Sequence, residues 1–218
     1  MGQVNGLSVY YIRDISFGVP SRITASAYIG EKGIIGIKRE VGLSGPIHDK
    51  GVLILTGFIG RKYGSDFPLT LSCSVVFEQS YGEVEGDSAS AAEAIAILSE
   101  IGEIPIRQDT AIIGSIDQHG NIQPVGAIKE KVEGFFKVCN VVGLSGKQGV
   151  IVTSRNIDNL VLDEQALAEI KKDNFHIYAV DSLDDAIEIL SQMDAQSFHR
   201  KVKNRLEEFF KSSQKLSR

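Results

Sequence analysis

Apolar positions along this chain change their period several times, and each change marks an element. Leu7–Ile12 and Arg22–Ile29 are rich in β-branched and aromatic residues and bounded by Gly and Pro, which predicts two strands. Gly33–Glu40 is a further candidate strand. Val52–Ile59 is an apolar run short enough to be a buried strand or part of a helix, and its pattern alone does not choose. Leu69–Phe77 alternates as a strand does and leads into the turn region Gly82–Gly86. From Ser88 the period lengthens. Ala91, Ala92, Ala94, Ile95, Ile97 and Leu98 combine strong helix formers with an apolar face, predicting a helix over Ser88–Ile101. Ser88 then sits at or just inside a helix N-terminus, with Asp87 as its candidate cap.

The second half alternates more regularly. Thr110–Ile116 and Asn121–Val125 predict two strands joined across the turn Asp117-Gln118-His119-Gly120. A helix over Ile128–Cys139 and a strand over Gly149–Thr153 follow. Glu164–Lys172, Phe175–Val180 and Leu183–Gln192 then read as helix, strand and helix. The last segment, Ala195–Arg218, carries seven Lys/Arg, the last of them Arg218, while Phe198, Val202, Leu206 and Phe209 recur at helical spacing. It predicts an amphipathic helix with a solvated basic face. The fold class expected is α/β, with an N-terminal mainly β portion, a C-terminal α/β portion, and a domain over 1–194 followed by the helix over 195–218.

Composition narrows the class. The 218 residues are 43% hydrophobic and 23% charged, enough to bury a core and ordinary for a globular protein. The net charge of −5 gives no general attraction to nucleic acid. Cys73 and Cys139 lie in apolar runs away from any Cys/His cluster and are expected as buried, reduced thiols in a cytoplasmic protein. The N-terminus has no basic start followed by an apolar stretch, so no signal peptide is expected, and no run reaches a membrane span's length.

The candidate chemistry lies between Gly86 and Lys131. Gly86-Asp87-Ser88-Ala89-Ser90 sets a serine among small residues, where its hydroxyl can face a substrate. A serine is a weak nucleophile until a base takes its proton, and a desolvated lysine can do so. An exposed lysine, with a pKa of about 10.4, cannot; burial lowers that value. Lys129 and Lys131 both open a helix whose other face carries Val132, Phe135 and Phe136, and the residues alone do not choose between them. A helix start beside Ser88 also offers unpaired N–H groups to an oxyanion, with those of Glu85, Gly86 and Asp87 as candidates.

These motifs, with Ser88 and Lys131 set 43 positions apart, resemble the proteolytic domain of Lon proteases. The resemblance spans about Gly2 to Gln192 and is nearest to the subgroup with Glu-Gly-Asp-Ser-Ala-Ser at the nucleophile, here Glu85–Ser90. It implies a Ser/Lys dyad of Ser88 and Lys131, selects the second lysine of the pair, assigns Glu85 to a recurring carboxylate position, and favours a helix at Val52–Ile59. It implies protein or peptide substrates, a homo-hexameric ring, and an ATPase module supplied in cis or in trans. That module is not expected in this chain, because Gly146-Lys147 is followed by Gln148 and Val141 holds the first glycine position of a phosphate-binding loop. ATP and Mg are therefore expected only with the module, no cofactor or metal is expected here, and Met1-Gly2 before the first strand suggests an excised domain.

Three positions depart from the family. Ile113 stands where many members carry a threonine that hydrogen-bonds the catalytic amine; Gly126-Ala127 replaces Gly-Gly; Ser90 replaces a glycine found outside this subgroup. Two rival readings remain at this stage. A His-dependent triad would have to draw on His48, His119, His176 or His199, all of which read as surface or structural histidines. A catalytically weak or inactive assembly module is the other, and Ile113 is the feature in its favour.

Overall fold

The computed structural model describes residues 1–216, with the side chain of Leu216 left aside; Arg218 of the basic tail lies outside the described residues. Nine strands and seven helices alternate: β1 (Gln3–Ile12), β2 (Ile15–Ile29), β3 (Gly33–Gly36), α1 (Ile37–Glu40), α2 (Pro46–Tyr63), β4 (Leu71–Phe77), α3 (Ser90–Ile101), β5 (Thr110–Ile112), β6 (Ser115–Ile116), β7 (Ile122–Gln123), α4 (Ile128–Val142), β8 (Gly149–Thr153), α5 (Glu164–Lys171), β9 (His176–Val180), α6 (Leu183–Ser191) and α7 (Ala195–Leu216). Seven strands form one mixed sheet in the order β3-β4-β2-β1-β5-β8-β9, and β6 and β7 form a separate hairpin. The mainly β and the α/β portions are therefore one sheet, joined where β1 and β5 run parallel.

Strand alternation sorts side chains onto two faces. Ile112 and Ile151 point into a core built with α2, α3, α6 and α7; Ala111, Ile113, Val150 and Val152 point into a second one with α4 and α5. Parallel strands covered on both faces read as unbroken apolar runs, as Ala111-Ile112-Ile113 and Val150-Ile151-Val152 do. Helix α3 is buried along nearly its whole length. Its alanines let it lie close against the sheet, where bulkier residues would hold it off.

Several boundaries differ from the expected ones for identifiable reasons. Strand β2 begins at Ile15, not Arg22, because Gly18 and Pro20, which read as breakers, pair with Val9 and Leu7 of β1. Arg13, at φ +54°, makes the turn between them. Gly33–Glu40 is a strand only to Gly36 and then turns into α1. Thr110–Ile116 is not one strand. It breaks at Gly114, whose N–H donates to the Ser88 carbonyl and whose carbonyl accepts the Ala91 N–H. Val52–Ile59 lies inside the 18-residue helix α2, which starts on Pro46.

The β1–β2 ribbon crosses α4 at a pair of glycines. A Cβ on Gly18 would lie 2.2 Å from the Glu130 carbonyl oxygen and 2.6 Å from Lys131 Cα, and one on Gly134 would lie 2.0 Å from the Gly18 oxygen. Only glycine fits at either place. The C-terminal helix docks Phe198, Val202, Leu206 and Phe209 into the first core. No helix among the described residues is long and apolar enough to cross a membrane.

Candidate active site

The two residues that the sequence singles out meet in space. Lys131 Nζ lies 2.7 Å from Ser88 Oγ, and this is the hydrogen bond that the described residues give the amine. Ser88 precedes α3, on a turn fastened from beneath. Its carbonyl accepts the Gly114 N–H, the Asp87 carbonyl accepts the Ser90 N–H, and Ser90 Oγ accepts the Ile116 N–H. The expected cap is not found: α3 begins after Ala89 with no side-chain cap, and Asp87 engages the helix through its backbone carbonyl. Gly86 adopts φ +88°, a conformation open to glycine and costly for other residues.

Lys131 sits in the first turn of α4 and is 6% exposed, with the second core around Ile128 and Val132 beside it. Burial brings its pKa down to about 8, with Asp87 pulling weakly the other way. At pH 7 about one amine in ten is then neutral, against about one in several thousand at the ordinary 10.4. Lys129 points to solvent, 3.9 Å from Glu133 Oε1, so geometry separates the two lysines that sequence could not. Ala127, before α4, holds φ +54°, the left-handed region where the family's glycine would sit without strain.

A cleft of about 660 Å³ opens over the pair. Its walls are Leu7–Tyr11 of β1, Ser80 and Gly82–Ala89 on the Ser88 side, and Pro124–Ala127 with Lys131 opposite. Strand β1 pairs with β5 only at Asn5, so the Leu7–Tyr11 edge faces the cleft. The N–H groups of Gly86, Asp87 and Ser88 donate to no group among the described residues. Glu85 turns its carboxylate away, to accept the Ile47 N–H at the start of α2, at 3.3 Å. This bond ties the turn to α2.

Two residues beneath this loop are buried in a way the sequence did not show. Lys38, 4% exposed, donates to the carbonyls of Ser80 and, at 2.8 Å, Gly82. His48, 2% exposed, lies behind Gly86. A lone lysine reads as solvated from sequence and His48 as a surface or structural histidine, and only the fold of α1 and α2 under the loop buries them. None of the four histidines lines the cleft, which leaves a triad without a member. His119 is on the β6–β7 turn, His176 meets the Gly146 carbonyl, and His199 bonds Asp184 and Tyr63.

Residues 80–192, just over half of the chain, match the sequence profile of the Lon protease (S16) C-terminal proteolytic domain. The chain belongs to the Lon family. A Lon protease homolog of Escherichia coli (strain K12) is 42% identical over 192 residues, which is 87% of this Lon domain and 33% of that protein. A homolog of the same name from Haemophilus influenzae (strain ATCC 51907 / DSM 11121 / KW20 / Rd) is 41% identical over 196 residues, 89% of the domain and 33% of the relative. The archaeal Lon protease of Pyrococcus abyssi (strain GE5 / Orsay) is 31% identical over 189 residues, 87% of the domain and 17% of the relative. This Lon domain thus spans about a third or less of the length of the relatives it matches.

Proposed function

We propose that the domain is a serine endopeptidase in which Ser88 is the nucleophile and Lys131 its general base. The contact that carries this reading is the 2.7 Å approach of a buried amine to the Ser88 hydroxyl. Neutral Lys131 takes the hydroxyl proton as Oγ bonds to the substrate carbonyl carbon, and the carbonyl π electrons move onto oxygen. The free N–H groups of Gly86, Asp87 and Ser88 are the candidate donors to that oxyanion, with Glu85 N–H as a further one. Collapse expels the amine, which leaves with the proton from Lys131. Water then attacks the acyl ester with Lys131 again as base, and collapse breaks the ester bond, releasing the acid and returning the proton from Lys131 to Ser88 Oγ. An extended peptide would lie along Leu7–Tyr11, pairing with the open edge of β1.

The wider setting is proposed on family grounds: protein substrates, a homo-hexameric ring, a cytoplasmic location, and an ATPase module in cis or in trans that brings ATP and Mg. The exposed Val138, Val141 and Val142 at the end of α4 suit a contact with a second copy. The second reading, an assembly module without turnover, has Ile113 in its favour and the Ser88–Lys131 contact against it.

Peptidase assay of the wild type beside Ser88→Ala and Lys131→Met tests the proposal. Both variants are expected to lose turnover, and a serine-reactive phosphonate is expected to label Ser88 in the wild type. The ionisation of Lys131 should contribute a rise of about tenfold per pH unit below about 8 and a plateau above it, since the base works only when neutral. Undiminished cleavage by Ser88→Ala would sink it.

A further inference from the structure

Behind the nucleophile turn lies a buried pair of titratable groups that the chemistry above does not use. His48, on α2, and Glu93, on α3, are each 2% exposed, and His48 Nε2 is 3.7 Å from Glu93 Oε1. The His48 ring also meets the Gly86 carbonyl and packs edge-on to Phe77 at 5.7 Å between centroids. One turn further along α2, a Cβ on Gly51 would lie 3.1 Å from Asp87 Cβ, so α2 presses directly against the turn. A trans peptide points its carbonyl and the next N–H in opposite directions. With the Gly86 carbonyl drawn inward to His48, the Asp87 N–H faces the other way, and Asp87 lines the cleft.

We infer that His48 is a positioning residue for the oxyanion site, its ring N–H bonding the Gly86 carbonyl, with Glu93 behind it, so that the Gly86–Asp87 peptide holds the Asp87 N–H toward the cleft. Gly86 lacks a Cβ and sits at φ +88°, so its own conformation resists a peptide flip less than another residue's would. The restraint must come from outside, and His48 supplies it.

The charges around the ring make this restraint depend on pH. Burial pushes the Glu93 carboxyl up to about 7. Burial also lowers the His48 value, while the Gly86 carbonyl, Asp49 beside it on α2 and Glu85 of the turn raise it and Lys38 of α1 lowers it. A neutral imidazole has a single N–H to give. When Glu93 is protonated the Gly86 carbonyl receives that N–H; when Glu93 ionises the carboxylate competes for it.

This inference rests on Ser88 being the nucleophile, and the test keeps the two apart. In crystal structures of the Ser88→Ala protein, where no turnover is needed, adding His48→Leu is expected to turn the Gly86 carbonyl away from α2, and adding His48→Gln, which keeps an N–H donor, to retain it. A retained carbonyl with His48→Leu overturns the inference whatever the fate of the Ser88 reading. In kinetics on otherwise wild-type protein, His48→Leu should lower kcat by about 10²–10³, the loss seen for one oxyanion donor, with KM within a fewfold of the wild type; His48→Gln should recover most of it. A loss confined to KM counts against it. Should His48→Leu fail to fold, Glu93→Gln decides: it should remove an ionisation near pH 7 from the kcat profile while that of Lys131 near 8 stays. A wild-type profile without the ionisation near 7, or a Glu93→Gln profile that keeps it, overturns the inference.

Discussion

At the scale of single residues, Ile113 is where this sequence leaves its family, and the fold shows what surrounds it. Ile113 is 1% exposed, its N–H bonds the Ile151 carbonyl, and its side chain shares a core with Ile128 and Val132, which flank Lys131 on α4. Burial brings Lys131 down to about 8, and Ile113 has no hydroxyl to offer the amine as a second acceptor. The amine is then held by Ser88 alone, and aim matters more to proton transfer than a modest gain in neutral fraction. Ile113→Thr is expected to raise kcat severalfold in the isolated chain while lowering the midpoint of thermal unfolding, since it removes buried apolar volume and adds a hydroxyl. Parallel kinetics and calorimetry check this. An unchanged or lower kcat in a folded, assembled variant would show that the amine is already well aimed. Among these residues Ser88, the proposed nucleophile, was singled out by its small neighbours, and the choice of Lys131 over Lys129 as the proposed base came only with the family resemblance. His48 and Glu93 were not legible, because nothing local distinguishes a buried carboxylate in an alanine-rich helix from a solvated one.

The elements were legible where one local pattern governs them. Strand β8 falls on Gly149–Thr153 as expected, and α4 and α6 lie within a few residues of their expected bounds, since their apolar periods are set by one packed face. Boundaries went astray where a distant contact decides, as at Gly114, which leaves its strand to bond Ser88 and Ala91. The crossing of β2 over α4 is the clearest case. Gly18 and Gly134 are far apart in sequence, and each reads as an ordinary glycine until the other is beside it. Gly18→Ala is expected to cost about 1–3 kcal/mol as an overpacking change. Because the added methyl meets Glu130 and Lys131 backbone, it should also shift the first turn of α4 and lower kcat by more than the stability loss explains. Activity measured well below the variant's unfolding midpoint tests this; wild-type kcat there would mean that α4 yields without moving Lys131.

Across the whole molecule, α7 closes the first core and is tied to other segments by ion pairs of Lys203 with Asp66 and Arg205 with Glu103, and by His199. His199 bonds Tyr63 of α2 through Nδ1 and Asp184 of α6 through Nε2, the latter at 2.9 Å, and Lys62 reaches Asp184 at 3.0 Å. The His199 hydrogen bond and Lys62 hold the Asp184 carboxyl down at about 2 against partial burial. A depressed carboxyl stabilises the fold above its unfolded value near 3.9 and loses that contribution as pH falls through about 2. Stability should therefore fall between about pH 4 and 2, and fall less steeply in Asp184→Asn, with α7 amides the first to exchange. Denaturant titrations with hydrogen exchange would check it, and equal slopes for both proteins would refute it; the effect is modest because Asp184 is half-exposed. The β1–β2 ribbon joins the scales. One strand offers its edge to the cleft and the other rests, without any side chain between, on the backbone that carries Lys131. On the proposed reading, a peptide seated along β1 would load a lever whose short arm bears on Lys131. Occupancy of the groove and the aim of the amine would then be mechanically one event, and a ligand too short to span Leu7–Tyr11 would fill the site without setting it.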